Sequence, residues 1–287
     1  ITVAITYDEE PDLFADVYNN APDEYAMRLG ESFDIKQDID DDDDIDTVTG
    51  YTEEDYESGA INKIHFIIND KEITKKVDGY SADMYLFHKD DKTFVYLDLL
   101  VDNDYHNLYV YKLSDNGVQQ VMKDGMYGFR KSLEYKDEFP KEYLEMEYSN
   151  SYYPATDPDE FYLMGTFHML STADGYAKFG VGANGKPEMK DKYFTLKNFV
   201  EAEPFIDVKT DVDCKEVDPE TLEETGDAVL AKGAKFIPVM TDGETVVIVK
   251  DNNEKCYKLD VKSEGRYATQ VNGKDINELF ENMMFAG

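Results

Sequence analysis

Residues 93–101, Thr93-Phe94-Val95-Tyr96-Leu97-Asp98-Leu99-Leu100-Val101, decide the fold. Val95, Leu97, Leu99 and Val101 fall on one side of an extended chain, with Phe94, Tyr96 and Asp98 on the other. That period of two is the mark of a half-buried strand, and it fits no helix. Ile61 to Ile68, Met84 to Phe87, Leu108 to Leu113, Phe161 to Leu170, Tyr176 to Val181 and Tyr193 to Leu196 read the same way, with less regular alternation. Among these runs stand Asp78-Gly79, Asn116-Gly117, Asp124-Gly125, Asp174-Gly175, Asn184-Gly185, Asp242-Gly243 and Asn272-Gly273. Such dipeptides tolerate the positive φ of tight hairpins. The expectation is a mainly β fold of antiparallel meanders, packed as a sandwich or as a partial-propeller-like domain.

Toward the N-terminus the pattern changes. Pro11 to Tyr18 and Pro22 to Leu29 each suit a short helix with proline in its first turn. Residues 38–46 then carry seven aspartates among nine positions, whose mutual repulsion predicts an extended, solvated acidic loop. Pro140, Pro154 and Pro158 predict a second loop over residues 136–159.

Toward the C-terminus the spacing predicts a separate unit, with domains at 1–205 and 206–287. Phe236 to Met240, Thr245 to Lys250 and Cys256 to Val261 read as a three-stranded meander. Ile276, Leu279, Phe280, Met283 and Met284 make one apolar stripe at helical spacing behind Asp275 and Glu278, which predicts a capped terminal helix.

The chain has 29 Lys and Arg against 63 Asp and Glu, a net charge of 29 − 63 = −34. That charge repels phosphate backbones and anionic membrane faces, so nucleic acid is excluded as an expected partner. It suits divalent cations, basic peptides or plain solubility. With 41% hydrophobic residues, 22 Tyr and 16 Phe, the chain has the means to build a core. No run approaches the ~18 apolar residues of a membrane span. The opening at Ile1, with neither Met nor leader, fits removal of an upstream segment and leads to an expectation of export, with membrane attachment only through a lipid anchor ahead of it. Cys214 and Cys256 are equally compatible with one disulfide or two thiols.

Several constellations are candidates for chemistry. Asp42, Asp44, Asp46 and Glu53 occupy the first, third, fifth and twelfth positions of a calcium-loop template, with Thr47 where the template has glycine. Gly180-Val181-Gly182-Ala183-Asn184-Gly185 spells a dinucleotide-binding string, but Lys186-Pro187 follows instead of a helix, so it reads as hairpin glycines. His65, His88, His106 and His168 lack zinc-type spacing, and His106 stands out beside Asp102 and Asp104. Tyr152, Tyr153 and Tyr162 near Asp157 and Asp159 could stack on sugar rings and bond their hydroxyls.

The span Gly226 to Val261, with Leu230-Ala231-Lys232-Gly233 ahead of its first strand run and the Asp242-Gly243 hairpin after it, resembles a bacterial SH3-like small barrel. The Tyr-rich, Asp-rich β sequence of the remainder resembles uncharacterised exported proteins and lipoproteins of Gram-positive anaerobes. The resemblance implies cell-surface residence and a binding role. The expected function is therefore a non-enzymatic exported or cell-surface binding protein, its ligand a peptide, a glycan or a cell-wall component, with calcium as the one candidate cofactor. A carboxylate-based hydrolase of glycans or peptides and a structural or assembly component are the alternatives.

Overall fold

The computed structural model describes residues 24–101, 105–124, 127–129, 158–198, 205–265 and 267–285. The described residues are nearly all β, in antiparallel sheets with a sandwich-like domain. The chain divides into two compact units, residues 1–163 with 178–188, and residues 164–177 with 189–287. The division thus falls inside a pair of strands, whereas the sequence suggested a single cut at 205/206.

In the first unit, β1 (Tyr25–Gly30), β2 (Ser32–Gln37), β3 (Asp46–Glu54), β4 (Ile61–Ile68), β5 (Lys71–Gly79), β6 (Ser81–Lys89), β7 (Lys92–Leu100), β8 (His106–Ser114) and β9 (Gly117–Asp124) form two sheets. The four-stranded sheet has the order β2-β3-β4-β5, and the five-stranded sheet β1-β6-β7-β8-β9. Alternation drives their packing. Phe33, Ile35 and Gln37 are buried while Ser32, Asp34 and Lys36 are exposed, so β2 lays one face on the core. Phe33, Ile35, Val48, Ile64, Phe66 and Ile68 of one sheet meet Met84, Leu86, Val95, Leu97, Leu99, Tyr109 and Tyr111 of the other in one apolar cluster.

Three expectations change here. Residues 25–30, expected at the end of a helix, form β1, because pairing with β6 from Tyr25↔His88 to Gly30↔Met84 buries Tyr25, Ala26, Met27 and Leu29. The expected helix at Pro11 to Tyr18 lies outside the described residues. β7 is buried on both faces instead of one. Its second face meets an aromatic layer, in which Phe87 lies 4.4 Å from Tyr96 and 4.8 Å from Phe161, and Tyr85 stacks on Phe129 at 3.9 Å. Asp78-Gly79 and Asp174-Gly175 lie within strands, Gly79 in β5 packed against Leu99.

The turn reading of Asn184-Gly185 holds, and the dinucleotide string is a hairpin. Gly182 N–H donates to Lys186 O and Gly185 N–H to Gly182 O. Gly185 has φ +81°, and a Cβ there would overlap the Phe94 ring. Its carbonyl also accepts from Tyr96 Oη at 2.7 Å. Among the described residues no helix starts at this loop to present its N-terminal amides to a phosphate.

The remaining strands are β10 (Tyr127–Gly128), β11 (Phe161–His168), β12 (Thr172–Val181), β13 (Pro187–Met189), β14 (Phe194–Asn198), β15 (Ile206–Val208), β16 (Val212–Val217), β17 (Glu224–Leu230), β18 (Lys235–Thr241), β19 (Val246–Asp251), β20 (Cys256–Glu264), β21 (Tyr267–Val271), β22 (Lys274–Asp275) and β23 (Phe280–Glu281), with α1 (Ile276–Leu279) before the last. In the second unit the pairings run β20-β19-β18-β14-β12-β11-β21 and return from β21 to β20, a closed circuit of seven strands. Such closure leaves no free edge around the ring. β16 and β17 extend from β20 outside the circuit.

The expected terminal helix is a single turn. Asp275 caps it by accepting from Asn277 N–H, but after Leu279 the chain turns to strand. Asp207↔Glu281 and Val208↔Phe280 pair there, and Phe280 packs edge-on to Phe236 at 5.2 Å. Sheet pairing claims the backbone groups a longer helix needs, so the apolar stripe splits. Ile276, Leu279 and Phe280 are buried and Met284 is exposed.

Candidate functional site

The hairpin order of the first unit sets its acidic residues. Consecutive antiparallel strands return to the same end every second connection, which gathers residues 38–45, Asn69-Asp70, Asp90-Asp91 and Asp115-Asn116. Asp41, Asp43, Asn69, Asp70, Asp90 and Asp91 all adopt φ between 47° and 69°. Asn and Asp are the non-glycine residues that enter this region at least cost, so the turn geometry itself selects for acids. The Asp91 charge faces Asp41 closely enough to push its carboxyl up.

Asp38 holds the loop together. Its Oδ1 accepts from the N–H groups of Asp40, Asp41 and Asp42, and its Oδ2 from Asp43 N–H at 2.9 Å. Burial opposes ionisation, yet these four donors hold the carboxyl below its usual value.

Three other carboxylates converge. Asp40, Asp46 and Asp115 each place an oxygen within 4.8 Å of the other two. Asp46 is 2% exposed and accepts from Ile39 N–H and from Asn69 Nδ2. Asn69 also donates to Asp115 Oδ1 at 3.3 Å and locks to Thr47 through the backbone. Asp115 N–H donates to Asp40 Oδ2 at 3.0 Å, tying the β8–β9 turn to the β2–β3 loop 75 positions away in the chain. Asp40 Oδ1 is sealed from solvent and accepts no hydrogen bond from the described residues. The hydrogen bond to Asp46, then the charges of Asp46, Asp40 and Asp42, push the Asp115 carboxyl up to about 6. Asp115 therefore keeps its proton, hydrogen-bonded to Asp46, to higher pH than an ordinary aspartate does.

Oxygens bound to one calcium ion at ~2.4 Å lie no more than ~4.8 Å apart. Asp40, Asp46 and Asp115 meet that limit, and the unpartnered Asp40 Oδ1 is an acceptor in want of a cation or donor. The template ligands Asp42, Asp44, Asp46 and Glu53 do not come together. Asp42 Oδ1 accepts from Asp44 N–H at the loop surface, and Glu53 stands seven residues along β3, roughly 23 Å from Asp46 at strand rise. There Glu53 takes Lys63 Nζ at 2.5 Å and His65 Nε2 at 2.9 Å.

The other candidates have structural partners. His106 Nδ1 bonds Asp98 Oδ1 at 2.6 Å, and Asp98 Oδ2 accepts from Phe129 N–H. Asp102 and Asp104 lie outside the described residues. Asp159 pairs with Lys89, and Tyr162 lies beneath Lys178 Nζ at 5.8 Å. Tyr152, Tyr153 and Asp157 lie outside the described residues. Cys214 and Cys256 are free thiols. Val217, not Cys214, stands opposite Cys256, and burial pushes both thiols up.

No family model matches the chain, and no match was found among the curated proteins or the solved structures.

Proposed function

We propose that the chain is a non-enzymatic, exported or cell-surface binding protein whose first unit takes a calcium ion between Asp40, Asp46 and Asp115. The observation that supports this is the meeting of three carboxylates from separate segments, one of which, Asp40, also carries an oxygen sealed from solvent and without a hydrogen bond. A hard divalent cation between them removes the repulsion among the three. Sites with few protein oxygens bind calcium at about 10⁻⁴–10⁻³ M, the range of extracellular modules. An affinity of that order is what the export reading expects, with a peptide, glycan or wall component as the further ligand.

A carboxylate hydrolase also has one observation in its favour, the raised Asp115 carboxyl beside Asp46. Asp46 is 2% exposed and occupied by Ile39 and Asn69, so it is poorly placed to touch a polymer. The cation reading therefore takes precedence.

Thermal melts of the full chain in millimolar calcium and in EDTA test it. Calcium is expected to raise the melting temperature at neutral pH, magnesium to raise it less, and Asp115→Asn to remove the response. Melting curves that superpose in calcium and EDTA would sink the proposal.

A further inference from the structure

β17 lies outside the closed circuit of the second unit and pairs, among the described strands, with β16 alone. Every second residue of such an edge turns its N–H and C=O away from its one neighbour, which makes a template for a further strand. Glu224, Thr225, Gly226 and Asp227 are exposed, and Val229 is 51% exposed. A Cβ added at Gly226 would meet no atom within 4 Å. A bulge at Thr225 bends one end of the strand, but residues 226–230 keep an unbroken register with β16, from Gly226↔Glu216 to Leu230↔Val212.

Exposed edges are ordinarily blunted by proline or by charge, lysine above all. The four edge strands of the first unit follow that rule, with Arg28 on β1, Lys36 on β2, Lys71, Lys75 and Lys76 on β5, and Lys123 on β9. β17, Glu-Thr-Gly-Asp-Ala-Val-Leu, carries no basic residue and no proline. Its charges are acidic, with Glu224 paired to Lys258 and Asp227 to Lys215. Residues 211–232 hold eight Asp and Glu, and even when Lys255 and Lys258, which pair with Glu216 and Glu224, are counted beside Lys215 and Lys232, acids outnumber lysines eight to four.

Such an edge chooses its partner by charge. A second copy of this chain brings a net charge of −34 and is repelled, whereas a strand carrying lysine or arginine is drawn in and finds Val229 to pack on. We propose that β17 binds an extended, basic polypeptide segment as an added strand beside it. Backbone hydrogen bonds supply the affinity in that mode, and the acids around the edge supply the choice of partner. This partner is the peptide of the binding reading and rests on that reading, while none of the calcium ligands takes part.

The test uses the full chain in EDTA with two synthetic peptides, one alternating valine with lysine and the other valine with glutamate. The lysine peptide is expected to bind, more weakly as salt rises, and to slow amide hydrogen exchange over residues 224–230, while the glutamate peptide does neither. Gly226→Lys combined with Val229→Lys puts the missing positive charges on the edge where there is room for them, and is expected to abolish binding with the melting temperature unchanged. Should the double variant fail to fold, the exchange pattern of the wild type decides. Absence of binding, equal binding of both peptides, protection that falls outside β17, or full binding by the folded double variant overturns the proposal. A dimer in light scattering that the double variant dissolves puts a second copy on the edge and overturns it as well. A calcium response that persists while the lysine peptide fails to bind refutes the edge alone and leaves the cation reading standing.

Discussion

Asp242 and Asp115 occupy equivalent positions, each in the connection between neighbouring antiparallel strands, and their carboxyls are driven in opposite directions. Asp242 accepts from Glu244, Thr245 and Val246 N–H and from Thr245 Oγ1, all at 2.8–2.9 Å. Burial opposes ionisation, but those donors hold its carboxyl below 3.8. Asp115 faces Asp46, Asp40 and Asp42, and its carboxyl rises to about 6. A turn aspartate whose own loop supplies the N–H groups is a finished structural device. Where several such turns meet at one end, an oxygen can be left without a donor, as Asp40 Oδ1 is among the described residues.

The comparison can be broken by removing acids from each class. The largest effect is expected at Asp98, a third case in which the partners come from distant segments and the group is 3% exposed. Asp98→Ala strands His106 and Phe129 N–H, at a cost of about 3–5 kcal/mol. Urea unfolding measures it, and a loss under about 1 kcal/mol would show that water satisfies those groups. Asp242→Ala removes the acceptor of a half-buried turn and is expected to cost about 2 kcal/mol in the unfolding of the second unit. Asp115→Asn goes the other way. In EDTA it is expected to raise the melting temperature slightly by relieving repulsion, while abolishing the calcium response.

The strands were legible and the site was not, for one physical reason. Period-two patterning is local, so Ile61 to Ile68 names β4 from the sequence alone. Asn116-Gly117 and Asn272-Gly273 likewise announce their turns, although Asp174-Gly175 shows that the same dipeptide serves a strand packed against Phe167. Asn69-Asp70 and Asp90-Asp91 are two-residue turns with both φ positive, and they escape a search for glycine because Asn and Asp pay the left-handed cost themselves. The carboxylate cluster depends on which end each turn reaches. Asp46 was visible inside its acidic run, but Asp115 joins Asp40 only through the packing of two sheets. A template bound to one stretch of chain grouped Glu53 with Asp46, whereas the carboxylate that comes within 4.8 Å of Asp46 from outside that stretch is Asp115. β7 failed as a half-buried strand for a related reason: nothing local to residues 93–101 reveals the aromatic layer over Phe94 and Tyr96.

Opposite displacement of the two turn carboxyls implies opposite pH slopes, which gives the smallest and sharpest prediction. The Asp242 carboxyl ionises more readily folded than unfolded, so its contribution is present above 3.8 and is lost as pH falls through the lower folded value. The Asp115 carboxyl binds its proton more tightly folded than unfolded. Between 3.8 and about 6 the folded state holds more protons, so stability falls as pH rises across that window and is level above it. Asp115→Asn should therefore remove, in EDTA, a decline in the first unit between about pH 4 and pH 6 that Asp242→Ala leaves untouched. Calcium should erase the same decline without mutation, because an ion held by Asp115 replaces the proton on that carboxyl. If Asp115→Asn and wild type keep parallel pH profiles in EDTA, the three carboxylates do not interact in solution, and the contrast between the two turns is one of position without consequence for charge.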